Sequence, residues 1–111
     1  MSPDERTRVE HMIEAAETVG RFVSGRSRND LDGDEMLVFA LVRAIEIIGE
    51  AASRISSETQ QAFSDIPWRL IIAMRNRLVH AYFDVDRQIV WKCATEEVPE
   101  LLPKLRNLLE P

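Results

Sequence analysis

Between Val38 and Ile55 the apolar residues Val38, Leu41, Ile45, Ile48, Ala52 and Ile55 step in alternating threes and fours. That is the period of one helix face. Leu37, Ala44, Ile47 and Ala51 widen the stripe to nearly half of the helix. A helix this apolar has to be covered on two sides, so the rest of the chain must supply other helices to pack on it. The predicted helix starts at Asn29 or Asp30 and ends near Ile55. Gly49 in its middle costs roughly 1 kcal/mol against Ala. Close approach of another backbone is a reason to accept that cost. Arg43, Glu46, Glu50 and Arg54 form a charged ridge on the remaining face. Either this ridge is a solvated ladder of ion pairs, or Glu46 or Glu50 reaches a cation elsewhere in the chain.

The other segments read as helices too. Ser2-Pro3-Asp4-Glu5 combines an N-cap, a proline at the first helical position and a capping-box glutamate. Val9, Met12, Ile13, Ala16, Val19 and Val23 then form a one-sided stripe that should stop near Gly25. His11 lies beside that stripe and reads as a surface or boundary histidine. Gly25 to Asn29 is a short polar loop. Ser57-Glu58-Thr59-Gln60 is a second capping-box pattern, enough for one or two turns. Pro67 opens a further helix whose apolar face is Trp68, Ile71, Ile72, Met74, Leu78 and Val79, and which should fray or kink between His80 and Phe83. Asp84-Val85-Asp86 offers an N-cap for a last helix that carries Pro99 and Pro103. Each proline removes a backbone hydrogen bond, which predicts a bend or break near Glu96 to Pro99. The expected fold class is all-α, an antiparallel bundle of four or five helices in one domain spanning residues 1–111.

Composition narrows the function. The net charge of −5 argues against broad, non-specific nucleic-acid binding but leaves room for a local basic site. Cys93 is the only cysteine, so neither a disulfide framework nor a cysteine-rich metal site is expected. No apolar run approaches the ~20 residues of a membrane span, and the first residues lack a signal peptide's basic and apolar regions. Cytoplasmic location without membrane contact is the expectation.

The chemistry concentrates in Met74-Arg75-Asn76-Arg77-Leu78-Val79-His80-Ala81-Tyr82-Phe83, which holds one of the two histidines and the only tyrosine. On an ideal helix Arg75 and His80 differ by about 140°, so they do not share a face. Asn76 and His80 do. Joint use of Arg75 and His80 therefore needs a helix irregularity or a two-fold partner, since a symmetric dimer presents the same surface to itself. The residue types suit phosphate chemistry without a metal or cofactor. Histidine carries protons near neutral pH. Arginine holds a phosphate by two hydrogen bonds and stabilises transition-state charge. RNA brings its own nucleophile, the 2′-hydroxyl. Asn76 or Tyr82 could assist, and Arg69, Arg77 and Arg87 could add a basic rim. The plainer alternative is a helix end where Arg75 and His80 only pair with Glu46 or Glu50, and where Tyr82 packs on Trp91 or Phe83.

The sequence resembles the HepT-like toxins of the HEPN superfamily. Their signature, Arg, four residues, His, one residue, Tyr, is complete as Arg75, His80 and Tyr82. Ala44-Ile45-Glu46-Ile47-Ile48-Gly49-Glu50-Ala51 is similar to the family's second-helix block. Ile66-Pro67-Trp68 with Met74 to His80 is similar to the third, and Tyr82-Phe83 followed by Ile89-Val90-Trp91 to the fourth. The resemblance runs from about Arg8 to Leu109. It implies an all-helical, homodimeric, metal-independent endoribonuclease acting as a toxin. It also implies a minimal nucleotidyltransferase antitoxin as partner, which attaches AMP to Tyr82. Under this reading Arg75 and His80 are catalytic, while Asn76, Arg77, Glu46 and Glu50 support them or contact RNA. A competing reading is a non-catalytic helical module that binds, or is modified by, a nucleotidyltransferase. A nucleotidyltransferase in its own right is not expected: the sequence shows no strand pattern, no Gly-Ser turn and no paired aspartates on a sheet to hold Mg²⁺.

Overall fold

A computed structural model describes residues 1–81 and 84–110, with the side chains of His80 and Ala81 set aside; Tyr82, Phe83 and Pro111 lie outside the described residues. The fold is an all-α bundle. In chain order its elements are α1 (Pro3–Val23), α2 (Asp30–Gly33), α3 (Glu35–Ala52), α4 (Ser57–Ala62), α5 (Trp68–Ile72) and α6 (Met74–Leu78). There follow β1 (Val79–Ala81), β2 (Asp84–Val85), α7 (Arg87–Lys92), a π-helical segment (Cys93–Glu97) and α8 (Val98–Leu109). The strands pair antiparallel into a ribbon too small to change the class.

The apolar stripe of α3 sits at the centre, as its width demands. Leu41, Ile45, Ile48 and Ala52 are fully buried. On one side α1 contributes Val9, Met12, Ala16 and Val19. The rest of the cover comes from Trp68, Ile71, Met74 and Leu78 of α5 and α6, while Val98, Leu101, Leu105 and Leu108 of α8 complete the core chiefly against α1. Gly49 is where α5 comes closest. A Cβ built on it would stand 3.0 Å from the Ile71 carbonyl oxygen and 3.6 Å from that of Ile72. The close backbone approach expected at this glycine is therefore real, and its neighbour is the helix leading into the Arg75 segment.

Several element boundaries differ from the sequence expectation. The long second helix is divided: α2 is a separate turn, and Asp34, with non-helical backbone, caps α3 by accepting from the Leu37 N–H at 3.0 Å. That hydrogen bond is the main reason its carboxyl titrates below the usual range. The cap of α4 is Ser56 rather than Ser57. Its Oγ accepts from the Thr59 N–H, while its own N–H donates to Glu5 Oε1 at 2.7 Å. Glu5 thus does two jobs. It closes the expected capping box with Ser2 and also holds the start of α4, through the Ser56 N–H and the Thr59 hydroxyl. Hydrogen bonding, above all from Ser56, lowers its carboxyl pKa to about 2.

The helix expected to begin at Pro67 is broken at Ala73 and ends at Leu78, two residues before His80. Val79 is already extended, and Asp86 N–H donates back to the Leu78 carbonyl at 2.7 Å. Asp86 then caps α7 by accepting from Ile89 N–H. The prolines of the last helix cause no break. Instead the chain makes one wide turn, Cys93–Glu97, in which Val98 N–H bonds the carbonyl of Cys93, five residues back. Pro99 has no N–H to give, and its ring would press on the carbonyl four residues before it in an ordinary helix. A π turn immediately upstream absorbs that conflict while the helix continues.

Candidate functional site

The site is built where α6 crosses the outward ridge of α3. Arg75 lies on α6, half exposed at 52%, and its Nε donates to Glu46 Oε2. Glu46 is the more enclosed partner, at 19%. The ridge glutamates therefore separate. Glu46 reaches the motif arginine. Glu50 instead takes Arg43 at 3.3 Å in a largely exposed pair, which contributes little to stability. Glu46 engages only the Nε edge, so both terminal guanidinium nitrogens of Arg75 lack a partner among the described residues. A guanidinium held from behind with its fork open to solvent is suited to a phosphate.

Arg77 is placed differently. Two residues along α6 is a rotation of about 200°, and its side chain turns inward to Glu97. Nη1 donates to Oε1 and Nη2 to Oε2, both at 2.8 Å, with the pair only 35% and 29% exposed. The hydrogen bonds from Arg77 hold Glu97 below the usual carboxylate range, and those to Glu97 raise Arg77. Expected at the RNA, Arg77 has its whole fork committed to the π segment. Beside this pair, burial pushes the Cys93 thiol up to about 12, with the Glu97 charge adding to the effect. Cys93 is thus a neutral core residue.

Asn76 is exposed on α6. His80 follows the helix in β1, so the 140° offset calculated for an ideal helix does not apply to it. The two-fold argument built on that offset falls with it. Tyr82 and its contacts with Trp91 or Phe83 lie outside the described residues, as does the His80 side chain. Of the expected basic rim, Arg69 is exposed on α5, and Arg87 donates to the Leu31 carbonyl at 3.2 Å. His11 is exposed on α1, as expected. Sequence reasoning missed Glu97. Its partner lies 20 residues away on another element, and only the π turn aims it at Arg77.

A bundle with an open arginine on a short helix beside the central helix defines an all-α class with a candidate anion site. Comparison with known proteins then makes the assignment. Residues 12–108 match the family described as Ribonuclease HepT-like. The chain is 38% identical over 100 residues to "Probable ribonuclease HepT" of Thermococcus cleftensis, covering 90% of this chain and 91% of that protein. It is 36% identical over 105 residues to "Putative RNase TTE0752" of Caldanaerobacter subterraneus subsp. tengcongensis, covering 95% and 94% respectively. No solved structure matches the chain significantly. The chain belongs to the HepT-like ribonuclease family of the HEPN superfamily. Among the described residues, no helix is long and apolar enough to cross a membrane.

Proposed function

We propose that this protein is a metal-independent endoribonuclease whose catalytic groups are Arg75 and His80. The observation that carries the reading is the Arg75–Glu46 pair. It fixes the guanidinium by one edge and leaves the two-nitrogen fork for a scissile phosphate. His80, five residues on, takes the proton of the 2′-hydroxyl as that oxygen attacks phosphorus. Arg75 balances charge on the phosphoryl oxygens as the bond to the 5′-oxygen breaks. A proton returned to the leaving oxygen completes a transesterification that needs no metal. Asn76, exposed beside Arg75, and Glu50, on the same ridge as Glu46, are the supporting positions.

The protein works as the toxin of a toxin–antitoxin pair in the cytoplasm, as one domain over residues 1–111. Its partner is a minimal nucleotidyltransferase that silences it by adding AMP to Tyr82. An added phosphodiester near Arg75 would compete for the guanidinium that should hold RNA. We further propose a homodimer. Its support is the exposed apolar pair Met36 and Phe39 on the outward face of α3, together with exposed Ile72 on α5.

The deciding experiment incubates purified protein with RNA in the presence of a chelator. Cleavage by wild type and its loss in His80→Ala support the enzyme. Absence of cleavage under every condition supports a non-catalytic interaction module instead. Mass spectrometry after co-expression with the neighbouring nucleotidyltransferase should find AMP on wild type and none on Tyr82→Phe.

A further inference from the structure

The RNA-cleaving reading leaves a difficulty. The chain is acidic, at −5, so its overall field repels a polyanion, and affinity for RNA must come from a local cluster of cations. The rim expected around the motif supplies little of it: Arg77 is held by Glu97, Arg87 is tethered through its Nε to the Leu31 carbonyl, and Arg69 is left as a single exposed cation on α5.

A cluster exists elsewhere, in the groove between α1 and α3. A cavity of about 300 Å³ is lined by Arg8 and His11 of α1, by Ile47, Glu50 and Ala51 of α3, and by Arg54 just beyond the end of α3. Neither Arg8 nor Arg54 has an ion-pair partner among the described residues. The one carboxylate at the cavity, Glu50, is already occupied by Arg43. The floor is Ile47 and the small Ala51, so an anion entering the groove meets two guanidinium groups and an imidazole without having to displace a salt bridge. Arg8 and His11 are three apart on one helix and so lie on the same face. Arg54 joins them only because the bundle packs α1 on α3.

The position of this groove matters as much as its charge. Glu46 and Glu50 are one turn apart on the ridge of α3, and Arg54 follows four residues later, in the turn beyond its end. Glu46 holds Arg75, and Arg54 flanks the groove. The six helical steps from Glu46 to Ala52 rise about 9 Å, and the turn beyond them carries the chain on to Arg54, a separation that a short run of nucleotides spans. We propose that Arg8, His11 and Arg54 form a phosphate-binding subsite for the RNA backbone. It would hold the strand a few nucleotides from the bond positioned at Arg75. This inference rests on the ribonuclease reading and adds to it where the substrate strand runs.

The test uses the full-length protein with His80→Ala, so that RNA is bound but not cut. The probe is a fluorescent single-stranded oligoribonucleotide, followed by anisotropy across a series of salt concentrations. Single-stranded binding loses about 0.7 in the slope of log affinity against log salt for each phosphate contact removed. Arg8→Ala with Arg54→Ala should therefore weaken binding and flatten the slope by about 1.4, with Arg54→Glu weaker than Arg54→Ala. Arg21→Ala, at the far end of α1, should match the parent. Arg54 is exposed outside the core, so its single variants keep the test interpretable if Arg8→Ala disturbs the fold. Affinity and slope equal to the parent in the double variant would overturn the subsite and leave the ribonuclease reading standing. A parent that binds no RNA at any salt would overturn both. ATP competing as well as RNA at equal phosphate concentration would assign the groove to free nucleotides and overturn the strand-binding role.

Discussion

Arg75 and Arg77 stand two residues apart on one five-residue helix, yet the bundle uses them in opposite ways. Arg75 points outward and is held by a single carboxylate oxygen through its Nε, so its fork is open. Arg77 points inward and gives both terminal nitrogens to Glu97. The first is an outward-facing cation braced by the central helix. The second is a clamp that fixes α6 to the π segment. The contrast shows how a short helix can carry both an open cation and its own anchor, because residues two apart face nearly opposite directions. It also shows that composition cannot tell the two arginines apart. Only the partner across the fold does.

The contrast can be broken most forcefully at the open arginine. Arg75→Ala should lower RNA cleavage on the order of 10²-fold or more while thermal unfolding stays near wild type. A marked drop in melting temperature would mean that Arg75 is structural after all.

Glu97→Gln attacks the clamp. It leaves a partly buried guanidinium without its charge partner, at a cost of about 1–2 kcal/mol, read by urea unfolding. Replacing both partners, Arg77→Met with Glu97→Gln, should recover part of that loss. If the double variant is no better than the single, the two side chains are not coupled.

Gly49→Ala sharpens the account of how α6 is seated. Alanine gains helix propensity, but its methyl would meet the Ile71 carbonyl at 3.0 Å, and backbone in that position yields little. We expect a net loss of about 1 kcal/mol. Stabilisation would show that α5 can retreat.

Acid should act through Glu5. Its folded carboxyl titrates at about 2, below the ordinary value of 4.5. A depressed carboxylate contributes stability that is fully present above the unfolded value and is lost as pH falls toward the folded one. Unfolding experiments between pH 5 and 2 should therefore show stability falling below about pH 4.5. Glu5→Gln should flatten that decline. The smallest effect belongs to Arg43→Ala. Its pair with Glu50 is largely exposed, so stability should stay within about 0.5 kcal/mol of wild type.

How much of this was legible beforehand follows from the range of each interaction. The capping box at Ser2 and Glu5 closes over three residues, and both partners stand in the sequence. The second use of Glu5, on Ser56 and Thr59, spans more than 50 residues and left no local sign; it also explains why the cap fell on Ser56 instead of Ser57. Gly49 advertised a close approach because a glycine inside a strongly apolar helix needs a reason, though not which helix would approach. Pro99 marked the right place for trouble in the last helix. A bend or break was the natural expectation, and burial of Cys93 and Ala94 within the segment and of Val98 just after it goes with one wide turn that keeps the apolar face inward. The helix stopping at Leu78 instead of nearer Phe83 was hidden because Val79 continues the apolar pattern while adopting extended geometry. At the site, the motif spacing located Arg75, and the ridge located Glu46. The groove of Arg8, His11 and Arg54 was invisible, because it exists only once α1 lies on α3.

On the proposed function, the open arginine serves the RNA and the closed one serves the fold. The most direct measurement is single-turnover cleavage of one RNA by Arg75→Ala and Arg77→Ala, in chelator, at a temperature where circular dichroism shows both folded. The account predicts a loss on the order of 10²-fold or more for Arg75→Ala. It predicts a far smaller loss for Arg77→Ala, whose defect should appear as a lower melting temperature. Equal losses in the two variants, or the larger loss at Arg77, would contradict it.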